Sequence, residues 1–291
     1  MSKIAVIVDS SSYIPSELKN KYKIYEVPVP IIFNGKIKYD SDWKTLAKFY
    51  EDMNSNKEMP TTSQASPADI LKTFETAKKD GYDSAIFITM SSGISGMHQN
   101  VINLANQFEG LDITVWDSKI TVIAEGDQAL LAADMAKQNK SLEEILAKLE
   151  ILRDQSKVFF VVDDISHLKR TGRLSGGIAI VAGILSIKPI LTFDSEGKIV
   201  AIGKERQMKR AWSWIEKQLA DFVPSINFPK RITVVDANNT LIADEWADNA
   251  KKIKDVINID RGIIGSLIGV HTGEKAVGVI VAPDWQYLAE H

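Results

Sequence analysis

The run of residues 91–96 holds the side chains with the clearest chemical potential, because three serines lie within a glycine turn. It follows the apolar residues 84–90, which predict a buried strand, and it precedes a predicted helix that starts near residue 97. A helix start has free backbone N–H groups and a positive dipole end. Serine hydroxyls beside a helix start predict a binding site for a carboxylate or phosphate. The alternative is that the serines only cap the helix and turn the chain.

Two other predicted strands in the first half also end in hydroxyl side chains. Residues 4–8 lead into Asp9-Ser-Ser-Ser, and residues 113–116 lead into Asp117-Ser. Ligands of open α/β sheets bind beyond the carboxyl ends of the strands. We therefore expect these loops to converge on one site together with residues 91–96.

A further hydroxyl cluster occupies residues 60–66 and includes Thr62. It ends in Ser66-Pro-Ala-Asp, which is typical of a helix N-cap with proline in the first turn. On its own this loop is best explained as the polar segment that supplies the cap.

The order of predicted elements indicates an α/β protein with two domains. Strands and helices alternate over residues 1–155, which predicts a mostly parallel sheet with flanking helices. Residues 156–291 are richer in predicted strands, including a hairpin around residues 194–197 and an apolar strand over residues 262–270 that leads to His271. We predict a second, strand-rich α/β domain there.

Composition excludes several classes of protein. The chain has 291 residues, no cysteine and a net charge of −3, so disulfides, thiolate catalysis and general attraction to nucleic acid are not expected. The four histidines lack metal-ligand spacing, and we predict no metal site. The longest strongly apolar stretch, residues 178–187, is too short to span a bilayer, and no signal-peptide layout is visible. We expect a cytoplasmic protein without membrane insertion.

A serine hydrolase that uses Ser95 and His271 on a small acyl substrate is one alternative function. The nucleophile elbow requires Gly-x-Ser-x-Gly, but Met97 occupies the position of the second glycine. The sequence also has neither a P-loop nor a dinucleotide-binding fingerprint. Another alternative is a binding protein for a different apolar carboxylate.

The basic segment 169–173, which contains Arg170 and Arg173, is either a solvated loop or a patch that binds an anion or a partner.

Taken together, a set of short motifs resembles the DegV family in order and spacing over nearly the whole chain. The motifs are Asp9-Ser-Ser-Ser, Thr62-Ser-Gln, Ser91-Ser-Gly-Ile-Ser-Gly, Asp117-Ser, Thr171-Gly-Arg-Leu-Ser, Ile187-Lys-Pro-Ile and His271-Thr-Gly.

The resemblance implies a two-domain protein that binds one long-chain fatty acid in a buried tunnel near the domain interface. It implies that Thr62 and Ser95 hydrogen-bond the carboxylate and that His271 completes the polar end. It further implies a carrier without cofactor or catalytic residues of its own. A separate ATP-dependent fatty acid kinase subunit then forms acyl phosphate, and Arg206 lies near the carboxylate and serves that complex.

Three positions depart from the family's usual pattern. Ala65 stands where proline is usual, and Met97-His98 replaces threonine-tyrosine. Glu274-Lys275 interrupts a glycine-rich stretch after His271. We expect these departures to change loop stiffness, the tunnel wall or acyl preference, and the geometry of His271, respectively.

Overall fold

The structure is a computed structural model that describes residues 3–177 and 187–291, so most of the apolar stretch 178–187 lies outside the described residues. The strands in chain order are β1 (Ile4–Asp9), β2 (Tyr25–Val27), β3 (Ile31–Phe33), β4 (Lys36–Lys38), β5 (Thr61–Thr62), β6 (Ser84–Thr89), β7 (Asp112–Asp117), β8 (Lys157–Val161), β9 (Leu174–Gly176), β10 (Lys188–Phe193), β11 (Ile199–Glu205), β12 (Lys230–Asp236), β13 (Val256–Ile263) and β14 (Val277–Pro283). The helices are α1 (Ser16–Tyr22), α2 (Leu46–Ser55), α3 (Pro67–Lys79), α4 (Met97–Ala105), α5 (Ile123–Lys137), α6 (Leu142–Asp154), α7 (Ser166–Arg170), α8 (Met208–Phe222), α9 (Thr240–Ala250), α10 (Ser266–Thr272) and α11 (Trp285–Glu290). Among the described helices, none is both long enough and apolar enough to cross a membrane.

The chain forms two compact units, and neither is continuous in sequence. The first unit contains the residues up to Pro30, Thr62–Asp154 and Trp285–His291, and the second contains Ile31–Thr61 and Gln155–Asp284. The predicted domains 1–155 and 156–291 divide the chain at nearly the same place, but they assign residues 31–61 and 285–291 differently.

Packing explains why residues 31–61 belong to the second unit. The buried Tyr50 ring lies against Gly269 of α10, where an added Cβ would come within 2.4 Å of the Tyr50 hydroxyl oxygen. The Asp40 carboxylate accepts a hydrogen bond from the Leu267 N–H at 3.3 Å. These contacts join α2 and the segment before it to a helix more than two hundred residues later in the chain.

A parallel sheet forms the centre of the first unit. Its strand order is β2-β1-β6-β7, and every neighbouring pair is parallel. All residues of β1 and β6 are buried, as expected for central strands of a parallel sheet with both faces covered. The predicted parallel sheet with flanking helices is confirmed.

The helix α5 is the main element of this unit that the sequence did not predict. Its residues are buried on nearly all sides, including Glu125, Asp127 and Gln128. A helix buried all round has no polar face, so its sequence lacks the amphipathic period that identifies surface helices. A capping box precedes α6, since the Ser141 N–H donates to Glu144 at 2.8 Å and the Glu144 N–H donates to Ser141 at 3.2 Å.

The second unit is built on a mixed sheet with strand order β13-β12-β14-β8-β10-β11-β9. The predicted hairpin is confirmed, because β10 and β11 pair in antiparallel fashion across residues 194–198. Helices α8 and α9 cover one face of the sheet, where Trp212 and Trp246 are buried with ring centroids 5.2 Å apart. The strand-rich α/β character predicted for this part of the chain is also confirmed.

The predicted strand over residues 262–270 is wrong. Strand β13 ends at Ile263, and α10 begins at Ser266, so His271 lies in the last turn of a helix. Nearly every residue of α10 is buried, and a short apolar run buried on all sides has no periodicity that distinguishes a helix from a strand.

Replacing Ser66 with alanine should destabilise α3. The Ser66 hydroxyl accepts the Asp69 N–H at 3.1 Å, and losing such an N-cap costs about 1 kcal/mol. Urea denaturation would measure the free energy of unfolding, with the exposed Ser63→Ala as the control. Equal stability of the two variants would show that the cap contributes nothing.

Candidate functional site

The polar ends of three parallel strands meet at one edge of the first sheet. Asp9 at the end of β1 accepts the Met90 N–H at 2.8 Å, just beyond the end of β6. Asp117 at the end of β7 accepts the Ser92 N–H at 3.1 Å and the Ser92 hydroxyl at 2.5 Å. The predicted convergence of the hydroxyl-bearing strand ends is therefore confirmed.

Hydrogen bonds within the loop after β6, and one to the loop after β7, hold its backbone in a compact turn. The Ser91 N–H donates to the Ile120 carbonyl at 2.7 Å. The Ser91 carbonyl accepts the N–H groups of Ile94 and Ser95, each at 3.2 Å, and the Ser91 hydroxyl accepts the Gly93 N–H at 3.1 Å. The position of Ser95 is thus set by the position of Ser91.

The Ser95 side chain lies at the start of α4. Its hydroxyl oxygen accepts the Met97 N–H at 3.1 Å, and no side chain caps the helix from Gly96. Ser95 is partly exposed, so its hydroxyl proton can be donated to a ligand at the positive end of the helix dipole.

The loop that contains Thr62 lies beside this turn. The Ser63 N–H donates to the Pro30 carbonyl at 3.1 Å, which fixes the loop backbone. The Gln64 side chain lies directly against Gly96, where an added Cβ would come within 2.4 Å of the Gln64 amide nitrogen. The first unit therefore brings together the loops of Thr62 and Ser95, and only a residue without a side chain at position 96 allows Gln64 this approach.

The other predicted residues belong to the second unit. Arg170 ends α7, and its guanidinium donates to the carbonyls of Pro60 and Val270, each at 3.5 Å. Arg173 follows two turn residues later and donates to the Thr171 carbonyl. Arg206 is exposed directly after β11.

The electrostatic surroundings of His271 favour its neutral form. Burial, followed by the charges of Arg173 and Arg170, lowers the pKa of His271 to about 4. A neutral imidazole can donate one hydrogen bond to an anion and accept another from a second group.

The sequence missed a buried polar network in the first unit. Asp9, Ser11 and Glu125 are fully buried, and Ser11 connects the two carboxyl groups, because its N–H donates to Asp9 and its hydroxyl donates to Glu125. Asp9 lies in the Asp9-Ser-Ser-Ser motif, but Glu125 belongs to the unpredicted helix α5, and no sequence spacing links the two.

Within the residues that the structure describes, no group of three or more histidine, aspartate or glutamate residues is arranged to hold a metal ion.

The fold and site define a two-unit α/β protein that offers neutral hydroxyl donors at the ends of parallel strands. A family model described as an uncharacterised protein of the DegV family matches residues 3–284. The chain belongs to the DegV family, which confirms the resemblance found in its motifs.

Similar proteins cover nearly the whole chain. A DegV domain-containing protein of Listeria innocua is 35% identical over 277 residues, which are 95% of this chain and 97% of that protein. The crystal structure of DegV from Bacillus subtilis, described as a fatty acid binding protein, is 33% identical with a TM-score of 0.86 and covers 97% of this chain and 99% of its own. A DegV family protein from Thermus thermophilus, described by its fatty acid binding, is 27% identical with a TM-score of 0.89 and covers 97% of this chain and 100% of its own.

The serine hydrolase alternative finds no support. Among the described residues, the Ser95 side chain forms no hydrogen bond with a histidine or a carboxylate, and the similar structures are described as fatty acid binding. A nucleophilic serine is activated when an adjacent base accepts its proton.

The replacement Arg173→Ala should raise the pKa of His271, because it removes a repelling positive charge. The histidine ring signals in an NMR titration would show a midpoint above about 4, the value expected for the unchanged protein. Lys169→Ala is the control, since Lys169 is not among the charges that act on His271.

An unchanged His271 midpoint in Arg173→Ala would contradict this electrostatic assignment. Because His271 stays neutral in the folded protein, its contribution to stability is present above about pH 6.5 and is lost as the pH falls towards 4.

Proposed function

We propose that this chain binds one long-chain fatty acid and holds its carboxylate at the hydroxyls of Thr62 and Ser95. The observation that most supports this is the Ser95 hydroxyl at the start of α4, whose oxygen accepts the Met97 N–H at 3.1 Å. With its oxygen engaged in this way, the hydroxyl can donate its proton to an anion. The similar proteins described as fatty acid binding indicate the class of that anion.

Most of the binding free energy would come from the acyl chain in a buried tunnel. A C16 chain has roughly 14 methylenes, and burial of each contributes about 0.8 kcal/mol, which gives a gross gain of about 11 kcal/mol. The carboxylate then needs only enough donors to offset its desolvation and to fix its orientation.

Neutral donors suit a ligand that is to be modified while bound. The hydroxyls of Thr62 and Ser95 orient the carboxylate without neutralising it in a permanent ion pair, so its oxygen atoms stay nucleophilic. His271 is proposed as a further donor, and its neutral form suits that role.

We further propose that a separate ATP-dependent fatty acid kinase subunit phosphorylates the bound acid, in the cytoplasm. The sequence of this chain has neither a P-loop nor a kinase glycine loop with which to hold ATP. Arg206, Arg170 and Arg173 are the proposed contacts with the developing phosphate or with the partner, because arginine matches oxyanions geometrically.

Protein purified from bacteria should contain a long-chain fatty acid in equimolar amount, detectable by denaturing extraction and mass spectrometry.

Thr62→Ala and Ser95→Ala should each weaken carboxylate binding by ~1–2 kcal/mol, the usual contribution of a hydrogen bond to a charged group. Fluorescence displacement titrations would measure the affinity, and Ser63→Ala in the same loop is the control.

A protein that neither contains nor takes up a fatty acid would refute the carrier function. If a different apolar carboxylate is extracted, the proposed ligand class would be wrong and that compound would be the ligand. Full affinity in both single variants would exclude Thr62 and Ser95 as the headgroup ligands.

Acyl phosphate should form only when the kinase subunit, ATP and this chain are combined. Arg206→Ala should lower the rate about tenfold, because a hydrogen bond to a charged group contributes about 1.5 kcal/mol, while the amount of bound lipid should stay the same. The exposed Lys217→Ala on α8 is the control. Acyl phosphate formation by the isolated chain would refute the requirement for a partner.

A further inference from the structure

Two carboxyl groups are buried together beneath the polar edge of the first sheet. Asp9 of β1 and Glu125 of α5 are each 0% exposed. The Ser11 hydroxyl donates to Glu125 at 2.8 Å and accepts the Thr121 hydroxyl at 3.0 Å, and the Ser11 N–H donates to Asp9 at 3.0 Å. Two ionised carboxylates at such a place would repel each other in a medium of low dielectric constant.

The hydrogen-bond partners of the two groups are unequal. The carboxylate of Asp9 accepts two backbone amides, from Ser11 at 3.0 Å and from Met90 at 2.8 Å. Glu125 accepts the Ser11 hydroxyl, and its other oxygen, Oε1, has no hydrogen-bond partner among the described residues. Amide donors favour an ionised carboxylate, so the negative charge belongs on Asp9 and a proton on Glu125.

The charges that act on Glu125 from the neighbouring elements are all negative. They are carried by Asp9 of β1, Glu26 of β2 and Asp117 of β7, and Asp127 lies on α5 itself. Glu26 is paired with Lys19 at 2.7 Å and is thereby partly neutralised. Burial, and then the charge of Asp9, raise the pKa of Glu125 well above its usual value.

The backbone at this network is strained and closely packed. Val122, directly before α5, has a φ of 55°, a conformation that is costly for a β-branched residue. In α5, an added Cβ at Gly126 would come within 2.9 Å of the Ser12 carbonyl oxygen. Such strain persists only where surrounding contacts enforce it, and here it lets Thr121 and Glu125 both reach Ser11.

A short path of hydrogen bonds connects this network to Ser95. Asp9 holds the Met90 amide, Met90 is followed by Ser91, and the Ser91 carbonyl accepts the Ser95 N–H at 3.2 Å. A displacement of Asp9 would therefore displace the turn that carries the Ser95 hydroxyl.

We propose that Asp9 is a positioning residue for the Ser95 hydroxyl and that Glu125 retains one proton, so that the buried pair carries a single negative charge. The inference rests on the proposed function, because it takes the fatty-acid carboxylate as the ligand of the positioned hydroxyl. Glu125→Gln copies the shape of the protonated acid and cannot ionise, so it should keep the turn in place at every pH.

Amide hydrogen exchange of the Met90–Ser95 segment should detect the retained proton. When the segment opens to water, Glu125 loses its proton with the usual pKa of about 4.3, whereas the closed state keeps it. As the pH rises above about 4.3, the equilibrium constant for opening of this segment should therefore increase in the unchanged protein relative to Glu125→Gln, by up to about tenfold per pH unit. The increase should stop at the pH at which Glu125 also ionises in the closed state. The two proteins are compared at the same pH, so intrinsic exchange rates cancel.

Glu75→Gln on the exposed face of α3 is the matched control and should exchange as the unchanged protein does. Infrared spectra should show the carbonyl band of a protonated carboxylic acid at pH 7 in the unchanged protein, and Glu125→Gln should lose it. Parallel pH profiles of the unchanged protein and Glu125→Gln, or the absence of this band, would overturn the assignment of the proton.

Palmitate labelled with ¹³C at its carboxyl tests the positioning. Asp9→Asn keeps only one acceptor for two amides, so the carboxyl resonance of bound palmitate should shift while the amount bound stays the same. Glu125→Gln should leave that resonance unmoved. An unmoved resonance in Asp9→Asn would overturn the positioning role. A shifted resonance in Glu125→Gln, a test that does not depend on the folding of Asp9→Asn, would overturn the assignment of a neutral Glu125. Absence of bound palmitate in the unchanged protein would refute the proposed function but leave the exchange and infrared results decisive for the proton.

Discussion

A buried carboxylate is tolerated in a protein interior only when donors surround it, and Asp9 imposes that requirement on the first unit. Its two oxygens accept the amides of Ser11 and Met90, which lie at the ends of different strands. Once β1 and β6 are paired in parallel, the free amides beyond their carboxyl ends are the donors nearest to Asp9. The hydrogen bonds that the Asp9 carboxylate requires therefore determine where the turn of residues 91–96 lies, and this turn determines where α4 begins.

This requirement also explains how the hydroxyl groups of the site are held in position. The Ser91 carbonyl, the Ser95 hydroxyl and the Asp117 carboxylate each accept backbone N–H groups that the strand ends and the helix start leave unpaired. A serine that accepts a backbone amide keeps its proton available, so one side chain both completes the helix start and offers a donor.

Local sequence patterns predicted those elements that have one exposed side or a defined cap. Ser66 marks a helix start because its hydroxyl accepts a backbone amide only three residues later in the chain. The same reasoning failed for α5 and α10, which are buried on nearly all sides, so their apolar residues follow no period. For the site, hydroxyl groups after apolar strands indicated the loop of Ser95, but the contacts of Glu125 with Ser11 and of Gln64 with Gly96 join distant parts of the chain.

The interleaving of the two units has a consequence for synthesis on the ribosome. The chain crosses from one unit to the other at residues 30/31, 61/62, 154/155 and 284/285. The buried Trp285 packs edge-on against Tyr22, with ring centroids 6.1 Å apart. The C-terminal helix α11 therefore completes the packing of the unit whose first strand is β1. The parallel sheet emerges early, yet its unit gains this packing only after residues 155–284 have been translated. Folding of the first unit during translation therefore ends later than the emergence of its last strand.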